Sequence, residues 1–144
     1  MRKKPNIKVK IINGPNINFL GIRETDKYGK KNINYLRKII YKKKKTYFFQ
    51  SNNEYKIIKE IQKSYKNINY IIINPAGFTY NSFSILDSLL AVNIPFIEIH
   101  ISNIFKREKE RKKSIFSKYS SGFISGIGIY AYELALEYIF KFLT

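Results

Sequence analysis

"YIIINPAGFTYNSFSILDSLLAVNIPFIEIHIS", residues 70–102, decides the fold. It opens on the apolar run 70–75, rich in β-branched residues and stopped by Asn74 and Pro75, and it closes on a second such run, 95–102. Short apolar runs bounded by turn residues read as strands. Between them Leu86, Leu89 and Leu90 recur at helical spacing, so the stretch reads strand, helix, strand. The same alternation continues outward. "IKVKIIN" (7–13) is a third strand, and "TYFFQ" (46–50) and "GFISGIG" (122–128) are weaker candidates. Helical faces fall between: Ile33, Leu36, Ile39 and Ile40; then Ile57, Ile58, Ile61 and Tyr65; and finally Ala131, Leu134, Ala135, Tyr138 and Phe142.

Strand and helix alternating along the whole chain argue for a parallel sheet covered on both faces. The expected architecture is α/β, a flavodoxin-like three-layer sandwich whose five parallel strands run in the order 2-1-3-4-5. Ligands then bind beyond the carboxyl ends of the strands.

The chain has 144 residues, which suits a single domain spanning 1–144, with 1–6 a flexible basic N-terminus. It has no cysteine, which excludes disulfides and thiolate metal sites, and its one histidine argues against a zinc cluster. No apolar run approaches the roughly 20 residues needed to span a bilayer, and no signal-type apolar region follows "MRKKPNIKVK". A cytoplasmic protein without a membrane partner is expected. The formal net charge of +17 is of the kind that attracts nucleic acid. Yet Lys, Ile, Asn, Tyr and Phe, all encoded by A/T-rich codons, dominate the chain. Genomic base composition therefore accounts for the charge ahead of nucleic-acid binding, while anionic ligands remain favoured. The Lys tract at 42–45 is expected to end a helix.

The segment after the first strand, "NGPNINFLGIRETDKYGK", is long for a strand-to-helix connection, and long loops are often lids. It lacks the Lys-Ser/Thr ending of a P-loop and the glycine spacing of a dinucleotide fingerprint. Arg23 and Tyr28 lie five apart within it, flanked by Gly21 and Gly29. Two readings stand: ordinary surface residues, or a tyrosinate base. A free tyrosine is only about 0.1% ionised at neutral pH, and a neighbouring guanidinium favours the anion.

Along "PFIEIHIS", period-two alternation sets Glu98, His100 and Ser102 on one face and Ile97, Ile99 and Ile101 on the other. A satisfied structural histidine and a general acid oriented by Glu98 are both open. Arg107 and Arg111, four apart, share a face if helical. They are then either surface charges beside Glu108 and Glu110 or a clamp for a carboxylate. Asn74 offers an amide at a neighbouring strand end. Asp87, on the leucine-bearing helix, is either exposed or a partner for a cation.

"INGPN", "LGIRETDKYG", "NPAGFT" and "IEIHISN" followed by Arg107 and Arg111 occur in this order from about residue 8 onward, and the chain ends in "YELALEYI". Together they resemble type II 3-dehydroquinate dehydratase of the shikimate pathway. The resemblance implies a cofactor-free and metal-free removal of water from 3-dehydroquinate through an enolate, in a homododecamer built from trimers. It places the base at Tyr28 with Arg23 beside it, the proton donor at His100 with Glu98 behind it, and enolate stabilisation at Asn16. Substrate binding falls to Asn74, Ile101, Ser102 and Arg111, with Asp87 contributed near an adjacent subunit's site. One departure stands out. Where the family carries a histidine in "THTS", this chain reads "TYNS", with Tyr80 in its place, and weaker substrate binding is expected there.

Overall fold

The computed structural model describes residues 6–143. Five strands, β1 (Val9–Asn13), β2 (Thr46–Gln50), β3 (Tyr70–Asn74), β4 (Phe96–His100) and β5 (Gly122–Ser125), form one sheet. They pair in parallel in the order β2-β1-β3-β4-β5, as the sequence leads one to expect. The helices are α1 (Thr25–Tyr28), α2 (Ile33–Ile40), α3 (Glu54–Ser64), α4 (Phe83–Val92) and α5 (Tyr130–Phe142). The proposed basic N-terminus lies, except for the exposed Asn6, outside the described residues.

Alternation along the strands sorts the apolar side chains into two layers. Val9 and Ile11 of β1, Ile72 of β3, and Ile97 and Ile99 of β4 pack with Leu36 and Ile40 of α2 and Ala131, Ala135 and Ile139 of α5. On the other face, Ile12, Ile71, Ile73 and Phe96 meet Ile57 and Ile61 of α3 and Ile85 and Leu89 of α4. Each fully buried side chain of this size contributes about 1.5–3 kcal/mol, and both faces of the central strands are covered. Local chemistry sets where the helices start. Asn32 Oδ1 accepts from the Tyr35 amide at 2.9 Å, Asn53 Oδ1 from Lys56 at 3.1 Å, and Ser82 Oγ from Ile85 at 3.4 Å, each satisfying a first-turn N–H. Among the described residues, no helix is long and apolar enough to cross a membrane.

Several local expectations shift. On α5 the buried set is Ala131, Tyr132, Ala135, Leu136 and Ile139, whereas Leu134, Tyr138 and Phe142 are exposed. Apolar residues on every side of that helix make its period ambiguous, and the sheet selects the face carrying the small alanines. Tyr65 lies just past the end of α3 and is exposed, as is Leu90 of α4. The Lys tract follows α2 and forms the turn into β2, where Lys45 takes a left-handed conformation (φ 65). Only Gly122–Ser125 of the last strand segment joins the sheet. Beyond it Gly126 and Gly128 adopt positive φ, and the chain turns into α5.

The carboxyl edge of the sheet is polar. The five strands end in Asn13, Gln50, Asn74, His100 and Ser125, with Asn13 in register with both Gln50 and Asn74, and His100 with Ser125. Just beyond β1, Gly14 donates to the Asn74 carbonyl at 2.8 Å, and a Cβ on Gly14 would stand 2.3 Å from the Pro75 carbonyl oxygen. Backbone fills that space, so Gly14→Ala is expected to destabilise the protein by about 1–3 kcal/mol and lower the thermal unfolding midpoint. An unchanged midpoint would contradict the close approach of the β1 and β3 ends.

Candidate active site

The long loop after β1 is anchored before it becomes functional. Asn16 takes the left-handed conformation (φ 68), which asparagine tolerates, and its amide donates to Asn52 Oδ1 at 2.9 Å. A 3-10 turn, Ile17–Phe19, follows, and Ile17 and Leu20 are buried in the layer beneath α2 and α5. Gly21 (φ 80) closes the loop against the Lys30 carbonyl, which a Cβ would approach to 2.7 Å. Between these fixed points α1 carries Tyr28 as its last residue.

The Tyr28 hydroxyl accepts from two guanidinium groups, Arg23 Nη2 at 3.2 Å and Arg107 Nη2 in a short contact. The Arg23 guanidinium also lies over the ring, 5.0 Å from its centroid. Partial burial alone would push this phenol up. The hydrogen bond and charge of Arg107, followed by those of Arg23, outweigh burial and hold it below the ordinary value of 10.0. Spacing pairs Tyr28 with Arg23, and the folded chain adds Arg107 from 79 positions away.

Arg107 and Arg111 do not share a helix. Residues Ile104–Lys106 and Lys109–Lys112 form separate 3-10 turns, and Arg107 between them is extended (ψ 173). Arg107 reaches Tyr28 and Ser102 Oγ (2.8 Å), while Arg111 sits exposed with its Nε 2.9 Å from Glu108 Oε1. An exposed pair of that kind contributes little, so Arg111 is free to engage a ligand.

His100 and Glu98 project from one face of β4, as alternation requires. His100 is 4% exposed and Glu98 fully buried, with His100 Nε2 2.7 Å from Glu98 Oε1. Ser114 Oγ donates to the same carboxylate oxygen at 2.5 Å and Ser117 Oγ to the other at 2.6 Å. A carboxylate surrounded by donors only accepts, so Nε2 carries the hydrogen it shares with Glu98. His100 Nδ1 has no hydrogen-bond partner among the described residues. Since no buried polar side-chain atom lacks one, Nδ1 is open to the space above the strand ends.

That space is a cavity of about 280 Å³. The loop after β1 contributes Asn16, Arg23 and Tyr28 to its wall, and β3 and the following turn contribute Asn74 and Tyr80. His100, Ile101, Ser102, Arg107 and Arg111 complete it. Three arginines and no carboxylate line it, which suits an anion. Glu98 stands behind His100, and Asp87 is exposed on α4, outside its own chain's cavity. The residues that spacing did not reveal act from behind the wall: Ser114, Ser117, Asn13 and Tyr132. No local pattern marks them, because each meets its partner only through the fold. Among the described residues, no three His, Cys, Asp or Glu side chains form a metal-holding group.

A phenol whose ionisation two guanidinium groups favour and a carboxylate-backed imidazole, both lining one cavity at a strand-end edge, are groups suited to acid–base chemistry on a flavodoxin-like scaffold. Comparison with known proteins makes the class specific. The family described as Dehydroquinase class II matches residues 7–140. A 3-dehydroquinate dehydratase of Clostridium botulinum (strain Okra / Type B1) is 50% identical, covering 90% of this chain and 91% of its own. Another, from Buchnera aphidicola subsp. Cinara cedri, is 50% identical over 99% of this chain and 97% of its own. Among solved structures, the type II dehydroquinase of Butyrivibrio crossotus superposes with a TM-score of 0.86 at 42% identity, covering 91% of this chain and 95% of its own. That of Propionibacterium acnes gives 0.89 at 30% identity, covering 96% and 99%. The chain belongs to the class II dehydroquinase family.

The order of influence at Tyr28 is testable. Arg107→Met should raise the pH at which Tyr28 ionises, and by more than Arg23→Met does, as read from the phenolate ultraviolet band after subtracting the Tyr28→Phe protein. A larger shift from Arg23→Met would reverse the assignment.

Proposed function

We propose that this chain is a 3-dehydroquinate dehydratase that eliminates water to give 3-dehydroshikimate in the shikimate route to aromatic amino acids. The observation that carries the reading is the Tyr28 phenol held between Arg23 and Arg107, lining the same cavity as His100.

The Tyr28 phenolate takes a proton from the carbon between the ketone and the carbon bearing the hydroxyl. The C–H electron pair moves into an enolate, whose charge Arg23 offsets and whose oxygen Asn16 stabilises through water. The enolate then re-forms the ketone while its electrons make the new double bond and expel the hydroxyl. His100 protonates that leaving group from Nδ1, the ring nitrogen not engaged by Glu98, and the Glu98 carboxylate balances the imidazolium charge. Each proton moves between side chain and substrate, so the scheme asks for no cofactor and no metal. Asn74, Ile101, Ser102 and Arg111 hold the substrate, with Arg111 suited to its carboxylate. Arg107 serves Tyr28 and Ser102 rather than clamping the ligand with Arg111. Tyr80, 39% exposed at the rim, can donate a hydrogen bond but cannot carry positive charge, and it binds more weakly than an imidazolium would.

The working unit is a single domain in a homo-oligomer, a dodecamer built from four trimers, acting in the cytoplasm. Asp87, exposed and not part of its own cavity's wall, then completes the site of a neighbouring copy. Nearby Phe83 and Leu90, 61% and 42% exposed, supply apolar surface for that contact.

Purified protein mixed with 3-dehydroquinate should generate the ultraviolet absorbance of the conjugated enone product. Tyr28→Phe should lower the rate by at least about 10²-fold while sparing assembly. Absence of the signal from intact wild-type oligomer would reject the function, and an undiminished rate in the variant would reject Tyr28 as the base.

A further inference from the structure

Behind the cavity wall runs a hydrogen-bond chain that crosses from β2 to β3 through α5. Asn13 Nδ2 donates to the Phe49 carbonyl at 3.2 Å, and Tyr132 Oη lies 2.5 Å from Asn13 Oδ1. Asn74 Nδ2 lies 3.0 Å from Tyr132 Oη, and the Ala76 amide donates to Asn74 Oδ1 at 3.2 Å. Asn13 and Tyr132 are fully buried and Asn74 is 3% exposed, so this chain is shielded from bulk solvent except where Asn74 meets the cavity.

The polarity of the chain is fixed at both ends by backbone. The Phe49 carbonyl can only accept, so Asn13 must turn its NH2 toward it and its oxygen toward Tyr132. The Tyr132 O–H must then donate to Asn13, and the phenol oxygen is left to accept from Asn74. At the far end the Ala76 N–H can only donate, which sets the Asn74 oxygen there and its NH2 toward Tyr132. Both constraints select one orientation of the Asn74 amide. Burial pushes the Tyr132 phenol up, opposed only in part by the Asn74 bond, so Tyr132 keeps the proton this relay requires. One Nδ2 hydrogen of Asn74 is engaged by Tyr132. The other has no acceptor among the described residues, and Asn74 lines the cavity.

We infer that Tyr132 is a positioning residue, acting through Asn74: its hydroxyl locks the carboxamide so that the free Nδ2 hydrogen serves as a donor to a substrate oxygen. Tyr132 touches no ligand itself. Without its hydroxyl, Asn74 keeps the Ala76 bond but loses the partner that holds its NH2 in place, and substrate binding weakens in the ground and transition states alike.

The inference rests on the dehydratase reading, which wild-type turnover of 3-dehydroquinate tests first and separately. Given turnover, Tyr132→Phe should raise KM about tenfold with kcat changed by less than about threefold, the pattern of a lost uniform binding contact. Placed in an Asn74→Ala background, the same substitution should shift KM by less than about twofold, because the group it positions is gone. A merely structural tyrosine would lower the thermal midpoint and multiply KM by the same factor in both backgrounds, and that result overturns the inference. So does an unchanged KM in the single variant. If Tyr132→Phe does not fold, Asn13→Ala, which removes the acceptor that orients the Tyr132 O–H, is measured in the same two backgrounds. Loss of its KM effect beside Asn74→Ala supports the relay, and equal effects in both overturn it.

Discussion

A parallel sheet covered on both faces must stop somewhere, and here it stops in polar side chains that are buried. Asn13, Asn74 and His100 end β1, β3 and β4 with exposures of 0%, 3% and 4%. An unsatisfied polar group at such a place costs about 1–3 kcal/mol, so each of these ends demands a partner. Tyr132 from α5 serves Asn13 and Asn74, and Glu98, two residues back on β4, serves His100 and is itself held by Ser114 and Ser117 from the segment after that strand. Among the described residues no buried polar side-chain atom is left without one. The buried part of the edge is thus held by hydrogen bonds, while His100 Nδ1 and one Asn74 Nδ2 hydrogen are left to face the cavity.

Against this fixed floor the other half of the site is carried by loops. Tyr28 rides on α1, tied down by the buried Ile17 and Leu20, and Arg107 lies between two short 3-10 turns. The two loops meet at the phenol oxygen, where two guanidinium groups converge on one acceptor. Such an arrangement favours negative charge on Tyr28, and the same cavity is lined by a histidine hydrogen-bonded to Glu98. Arg107, bonded to both Tyr28 and Ser102, is the physical link between floor and loop.

The fold was legible because its signals are local. Apolar runs ending in Asn, Pro or Gly mark strands, and isoleucine and leucine periods mark the helices between them. Glu98 and His100 were legible for the same reason, since period two alone places them side by side. Arg107 and Arg111 misled, because spacing of four carries meaning only on a continuous helix and the chain there is broken by an extended residue. On α5 the abundance of apolar side chains conceals which face is buried, and nothing in the pattern singles out Tyr132 among them. Its partners Asn74 and Asn13 lie 58 and 119 positions away, a separation no periodicity can report. What the sequence hides is the layer that orients the reacting groups, because only the topology assembles it.

We propose a division of labour in which Tyr28 removes the proton and His100 delivers one to the departing hydroxyl. The most direct test follows deuterium from D2O into unreacted 3-dehydroquinate by NMR in two variants. In His100→Ala the enolate should still form and return, so deuterium enters the substrate while product formation falls. In Tyr28→Phe neither exchange nor product should appear. Exchange that persists without Tyr28, or vanishes without His100 while product still forms, would contradict the account.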